Sequence, residues 1–226
     1  MITFVSAKDL CMRSCAQIKL FRDFPDRKPK PSEDATAGEK YQHAVARYVP
    51  GLIGEEMGAW AMVGENLAVA FSNDIVCNDK IIEVKTVRTD KPVESWFLNG
   101  SLLQCAVYRT LVRMVGGSMK TAKFYANLGY PVVETTVGPD IPYYLMFGRD
   151  YYRVTVKDYQ AISDFIVGKA NATMSWDSAR SFDAEWKHRE FEKLNGCFEY
   201  EKINFIPNLK KKKEVNEQNG NKSTKS

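Results

Sequence analysis

No stretch of this chain approaches the roughly 20 consecutive apolar residues that a membrane-spanning helix needs, so its 226 residues offer no transmembrane segment. The first residues also lack the basic start and unbroken apolar core of a secretory signal. The expected location is therefore a cytoplasm, free or shared with a host. Histidine is scarce, with only His43 and His188. The cysteines (Cys11, Cys15, Cys77, Cys105 and Cys197) are five in number and widely spread, which argues for reduced thiols rather than a disulfide framework. Cys11 and Cys15 lie four apart in an expected helix and are better read as small buried hydrophobes than as metal ligands. There is no internal repeat and no P-loop. A basic excess is missing from the body of the chain as well. Of the net +4, six lysines and two glutamates fall in residues 208–226, leaving 26 basic and 26 acidic side chains in the preceding 207. Any nucleic-acid surface on the body must come from the arrangement of its charges.

What is present is ordinary in bulk, with 44% hydrophobic and 27% charged residues, enough to bury a sizeable core. The sequence divides into one domain over residues 1–207 and a basic tail over 208–226, "NLKKKKEVNEQNGNKSTKS". The tail has almost no apolar content and is expected to be disordered. Its lysines either add non-specific attraction to a polyanion or simply solubilise.

"SAKDLCMRSCAQIKLFRDF" predicts a first helix opened by a Ser6/Asp9 capping box. A proline-rich charged connection follows, and then a second helix, "GEKYQHAVARYV", that stops before Pro50 and Gly51. "GAWAMV", "LAVAFSNDIV" and "KIIEVKTV", separated by "GEN" and "CND", predict an antiparallel meander. "SLLQCAVYRTLVRMV" resumes a helix, with Ser101 as its cap and Gly116–Gly117 as its end. "AKFYANL", "VVETTV", "YYLMF" and "YYRVTV" follow as strand candidates. Two helices, near "KDYQAISDFIVGKA" and "DAEWKHREFEKL", complete the body. The order predicts an α/β fold with a mixed central sheet flanked by helices.

Chemistry enters at "DIVCNDKIIEVK". With Asn78 and Asp79 as the two turn residues, directly opposed positions sum to 157, so Asp74 faces Glu83. Their Cβ atoms then stand about 4.5–5.5 Å apart on one face, and Lys85, two residues beyond Glu83, projects from the same face. Opposed like charges destabilise a strand pair, and burial makes them costlier. Either Lys85 neutralises one acid, or a hard divalent cation, Mg²⁺ or Mn²⁺, sits between both. The competing reading is a solvated hairpin with an ordinary Lys–carboxylate pair contributing about 1 kcal/mol or less.

Four features in order resemble the PD-(D/E)XK nuclease superfamily, in its RecB-like, CRISPR-associated exonuclease-like branch. They are His43 in "GEKYQHAVARY", Asp74 in "FSNDIV", Glu83-Val84-Lys85 in "IIEVKTV", and Gln104 with Tyr108 in "QCAVY". The opening "SAKDLCMRSC" is similar as well, and the resemblance covers roughly residues 4 to 170. Asn73 stands where proline often precedes the Asp. A C-terminal cysteine trio is lacking, so no iron–sulfur cluster is expected.

The resemblance implies a restriction-endonuclease-like core and a metal-dependent DNA exonuclease acting on ends or single strands in replication, recombination or repair. Asp74, Glu83, the Val84 carbonyl and His43 would hold one or two Mg²⁺ or Mn²⁺ ions, with Glu39 supporting His43. Lys85 would orient the attacking water and stabilise charge near the scissile phosphate. Gln104 and Tyr108, four apart on one helical face, would contact the nucleic-acid backbone and hold Lys85 in place. Trp96 and Phe97 are better read as core aromatics than as a stacking surface for a base, and His188 as a solvated helix position. Without a P-loop, unwinding would fall to a helicase or recombination partner. Two other classes stay open, a Mn²⁺-dependent RNA endonuclease and a non-catalytic nucleic-acid-binding module.

Overall fold

The computed structural model describes residues 1–30, 33–87, 94–129 and 131–207; the expected tail, 208–226, lies outside them. The chain begins with a short strand, β1 (Thr3–Ser6), that its sequence did not advertise. The expected first helix is two helices, α1 (Ala7–Met12) and α2 (Cys15–Asp23). Arg13 is extended, and Ser14 opens α2 with a full capping box to Gln17, a stronger helix start than Ser6, whose hydroxyl accepts only the Asp9 N–H at 3.5 Å. Asp183 accepts the first two N–H groups of α2, from Cys15 and Ala16. Cys11 and Cys15 therefore sit on different helices, and all five cysteines are free thiols.

After a 3₁₀ turn at Pro25–Arg27, α3 (Glu33–Ala46) starts earlier than the glycine at position 38 suggests. The predicted meander follows as β2 (Leu52–Gly64), β3 (Leu67–Cys77) and β4 (Ile81–Lys85). The long helix α4 (Ser95–Met114) begins six residues before Ser101, whose hydroxyl donates to the Phe97 carbonyl from inside the helix. Every α4 residue from Ser101 to Val112 is buried, the mark of a helix enclosed by neighbours on all sides. β5 (Ser118–Thr121) precedes α5 (Lys123–Asn127), where a strand was expected. A short apolar run does not separate helix from strand by its period.

Then come β6 (Glu134–Thr136), β7 (Tyr143–Phe147), β8 (Asp150–Val156), α6 (Tyr159–Ala172), α7 (Trp176–Trp186), α8 (Glu190–Leu194) and β9 (Phe198–Ile203). The expected last helix is broken at Lys187 and His188, both with positive φ, so His188 is exposed but not helical.

The strands make one nine-stranded, mostly antiparallel sheet in the order β6-β5-β2-β3-β4-β7-β8-β9, with β1 added beside β3. Among the described strands, only β1/β3 and β4/β7 run parallel. One face packs against α1, α4 and α6 through a core that includes Leu10, Phe71, Ile81, Leu103, Val107, Leu145 and Ile166. The other face carries a smaller core of Ala46, Val49, Ile75, Ile82, Val84, Tyr144 and Met146. The fold is thus mixed α/β with helices on both faces.

The feature that positions the site is a fork. Along one edge, β3 pairs with β1 over Leu67–Ala70 and with β4 at Ile75 and Val76. Between these partners, from Phe71 to Asp74, that edge has no strand against it among the described residues. Its other edge is paired to β2 along its length. A break between two partners on the same strand makes a crevice in the sheet, where ligands bind open α/β folds.

Candidate active site

A cavity of about 1080 Å³ opens at this fork. Its walls include Ser6 and Lys8 from the first strand and helix, Gly38, Tyr41 and Gln42 from α3, and Phe97, Gln104 and Tyr108 from α4. Asp74, Glu83, Val84 and Lys85 also line it, so six of the seven residues expected to form a site meet in one place. The wall is closed tightly at Gly38, where a Cβ would stand 2.7 Å from the Thr86 hydroxyl.

The hairpin register explains the convergence. Ile75 opposes Ile82 and Val76 opposes Ile81, and the Cys77 N–H donates to the Lys80 carbonyl across the turn, as the sum of 157 requires. Past Ile75 the ladder stops and the strands diverge. The Val84 N–H, left without a strand partner, donates to Asp74 Oδ2 at 2.7 Å. The carboxylate thus replaces a ladder acceptor and is fixed at the apex of the fork.

Glu83 is 1% exposed, which rules out the solvated-hairpin reading. Its Oε1 accepts from Lys85 Nζ at 2.5 Å and from Gln104 Nε2 at 2.7 Å. Gln104 therefore braces Glu83 rather than Lys85. Tyr108 is buried against Phe71, and burial pushes its hydroxyl pKa well up. Among the described residues, Glu83 Oε2 and Gln104 Oε1 are buried with no hydrogen-bond partner, a rare and costly condition that calls for an explanation.

A third carboxylate, which sequence reasoning missed, joins this pair. Glu56 lies on β2 opposite Asp74, in the register set by Glu55–Ile75 and Met57–Asn73. Its φ of 52° is left-handed, in the middle of a strand, a strained conformation for a non-glycine residue. The kink turns the side chain into the cavity, where Gln42 donates to Oε1 at 2.7 Å and Ser72 to Oε2 at 3.1 Å. Tyr125 of α5 is hydrogen-bonded to it as well. No short motif signals such a residue; only the match of the second acid in "GEEMG" to the Asp74 register could have found it.

Electrostatics follow from three acids around one ammonium. Burial raises the Asp74 carboxyl well above its ordinary 3.8, and repulsion from Glu83 and Glu56 raises it further against Lys85 and the Val84 N–H. Burial likewise lifts Glu56, opposed by the Gln42 and Ser72 hydrogen bonds and reinforced by Glu83. Burial pulls the Lys85 pKa down, but Glu83 and Asp74 more than offset it, so the ammonium is held charged.

The expected ligand His43 does not line the cavity. Its Nδ1 meets Glu55 Oε2 at 2.5 Å, and Gln42, one residue and about 100° around the helix, faces the cavity instead. Glu39 does line the cavity. Phe97 packs on Phe147 at the cavity wall, whereas Trp96 is 60% exposed and not a core aromatic. Among the described residues, no three His, Cys or carboxylate side chains are gathered closely enough to hold an ion. The carboxylates that line the cavity are Asp74, Glu83, Glu56 and Glu39, and oxygen donors of this kind suit a hard cation.

No helix among the described residues is long and apolar enough to cross a membrane. No known family model, curated protein or solved structure matches this chain.

Proposed function

We propose that the chain is a divalent-cation-dependent deoxyribonuclease of the PD-(D/E)XK superfamily, RecB-like branch, with a restriction-endonuclease-like core, hydrolysing phosphodiester bonds at DNA ends or in single strands. One observation carries the reading. A buried carboxylate oxygen, Glu83 Oε2, has no partner among the described residues, in a cavity that also holds Asp74 and the charged Lys85. An acid surplus of this kind is stabilised by a cation and is hard to rationalise as scaffold. The order of the Asp, Glu-x-Lys and Gln-x-x-x-Tyr residues supports the same reading.

Asp74, Glu83 and the Val84 carbonyl would hold Mg²⁺ or Mn²⁺, with Glu56 alongside. When bound, such an ion supplies Lewis-acid polarisation of the phosphodiester and a more acidic water. The remaining work falls to the chain. Lys85, anchored by Glu83, places a fixed positive charge where negative charge grows on the phosphate oxygens. Gln104 fixes the rotamer of Glu83, and Gln42 and Ser72 fix that of Glu56, so the acids are oriented before substrate arrives.

A time course on end-labelled linear and circular DNA, single- and double-stranded, with an RNA arm, tests the proposal. Cleavage of linear DNA in Mg²⁺ or Mn²⁺ is expected to stop with EDTA and to fall by roughly 10²–10³-fold or more in Asp74→Ala and Lys85→Ala. Cleavage that survives both substitutions removes this cavity from the chemistry.

A further inference from the structure

Outside the cavity, one face of the sheet carries aromatic surface that the core does not use. Phe4 and Trp60 are 51% and 49% exposed and meet edge to face, with ring centroids 5.9 Å apart. Strand pairing puts them on the face that leads into the cavity. Trp60 opposes Ala70, and Ala70 is level with Ser6 of β1; Ala70 and Ser6 both line the cavity. In the row behind, Met62 and Phe4 flank Ala68. The alanines keep the floor low between the rings. In the row ahead, Ser72, Gly58 and Lys120 lie side by side across three strands. Asp74 comes next, four residues beyond Ala70, a distance of roughly 13 Å along β3. Lys8, in the first turn of α1, borders the same path from the other side.

We propose that Phe4 and Trp60 form a stacking platform for an unpaired base of single-stranded DNA, whose backbone runs between Lys8 and Lys120 to Asp74. The proposal deepens the nuclease reading and takes its polymer from it. Two exposed rings above a floor of small side chains accept any base by its π face, and flanking ammonium groups match a phosphate chain. The rings are continuous with the proposed reaction centre, at a spacing that a strand spans within a few nucleotides. A duplex, whose bases already stack on each other, would gain nothing from them. The platform therefore selects single strands or frayed ends.

The test is equilibrium binding of the full chain, in EDTA so that nothing is cleaved, to a labelled oligothymidylate of roughly 12 nucleotides. Matched arms use a duplex and an abasic oligomer. Trp60→Ala is expected to weaken single-strand binding by about tenfold and Phe4→Ala by less, while Trp60→Phe stays near the parent. Neither duplex nor abasic binding should respond to Trp60→Ala. Single-strand binding unchanged in Trp60→Ala, equal losses for duplex and single strand, or no single-strand binding by the parent protein would each overturn the platform. Self-association in sedimentation that Trp60→Ala abolishes would also overturn it, assigning the face to a second copy of the chain. The nuclease reading is judged separately, by cation-dependent cleavage in the parent protein. A chain that binds as described but never cleaves loses the chemistry and keeps the platform.

Discussion

Two buried lysine–glutamate pairs occur among the described residues, and their surroundings differ. Lys169 and Glu190 meet at 2.6 Å, with the lysine side chain 1% and the glutamate 12% exposed; Lys85 and Glu83 meet at 2.5 Å, with the lysine 12% and the glutamate 1% exposed. By distance and burial they are near mirror images. Their surroundings are not. Lys169 lies over the Phe165 ring and beside Cys15, whose Sγ–H donates to the Lys169 carbonyl at 3.8 Å. Burial pushes the Cys15 and neighbouring Cys11 thiols up to about 12 in spite of that lysine, so both are inert neutral groups at physiological pH. The Lys85–Glu83 pair is joined by Asp74, and Glu56 acts on both carboxylates. The two buried acceptors without partners among the described residues are Glu83 Oε2 and Gln104 Oε1, both in this second cluster. An ion pair by itself is weak evidence of function; an ion pair with surplus acid facing a cavity is much stronger evidence.

The contrast can be broken most forcefully at the lysines. Lys85→Met is expected to abolish cation-dependent cleavage, while Lys169→Met strands a buried carboxylate and lowers stability by about 3–5 kcal/mol, with cleavage retained by the folded fraction. Denaturant melts run alongside the cleavage assay check both. Equal loss of activity per folded molecule in the two variants would erase the distinction.

Asp74 sharpens it in the opposite direction. Its carboxyl holds its proton more tightly in the fold than in the unfolded chain, because burial and Glu83 raise it above 3.8. Its contribution to stability is therefore full below pH ~4 and is lost as pH rises through the raised value. Asp74→Asn, which needs no proton, should be more stable than the parent by on the order of 1 kcal/mol near neutrality. That advantage should shrink in acid, although cleavage is gone. Melts at several pH values that show Asp74→Asn no more stable than the parent would contradict the acid surplus.

A smaller effect is expected from the cation. Millimolar Mn²⁺ should raise the melting temperature of the parent by a few degrees through preferential binding to the folded state, and should leave Asp74→Asn unmoved. A shift of equal size in both would place the ion elsewhere. The smallest effect is expected at His43. Because its imidazole is occupied by Glu55 and does not line the cavity, His43→Ala should change the cleavage rate less than a catalytic substitution does, by about tenfold at most. A loss as large as that of Asp74→Ala would return the histidine to the metal site.

These residues also show how far the sequence could be read. That Asp74, Glu83 and Lys85 line one cavity was legible because a two-residue turn fixes the register as far as Ile75 and Ile82. The direct opposition of Asp74 and Glu83 was not, because the strands part beyond that pair and Asp74 meets the Val84 N–H instead. Gln104 and Tyr108 were legible because a four-residue spacing puts them on one helical face. Gln42 and His43 were not separable in this way, since neighbouring residues on a helix face different directions and only the packing of α3 selects between them. Glu56 was hidden because a left-handed residue in the middle of a strand reverses the alternation that strand patterns rely on. The helix boundaries failed where local signals competed, as at Ser6 against Ser14, or where no side chain caps the start, as at Glu94 before α4.

The sequence alone determined the elements whose causes are short-range. These are the hairpin and its register, the helical spacing of the α4 pair, the thiols without disulfides, and the body without net charge. Tertiary structure decided what those elements face. It set β1 beside β3 and so opened the fork, brought Glu56, Gln42 and Ser72 to Asp74, and left Phe4 and Trp60 uncovered beside the cavity. The reason is physical. Turn geometry and helical period act over a few residues, whereas a cavity is made by long-range pairing that fixes where strands stop touching.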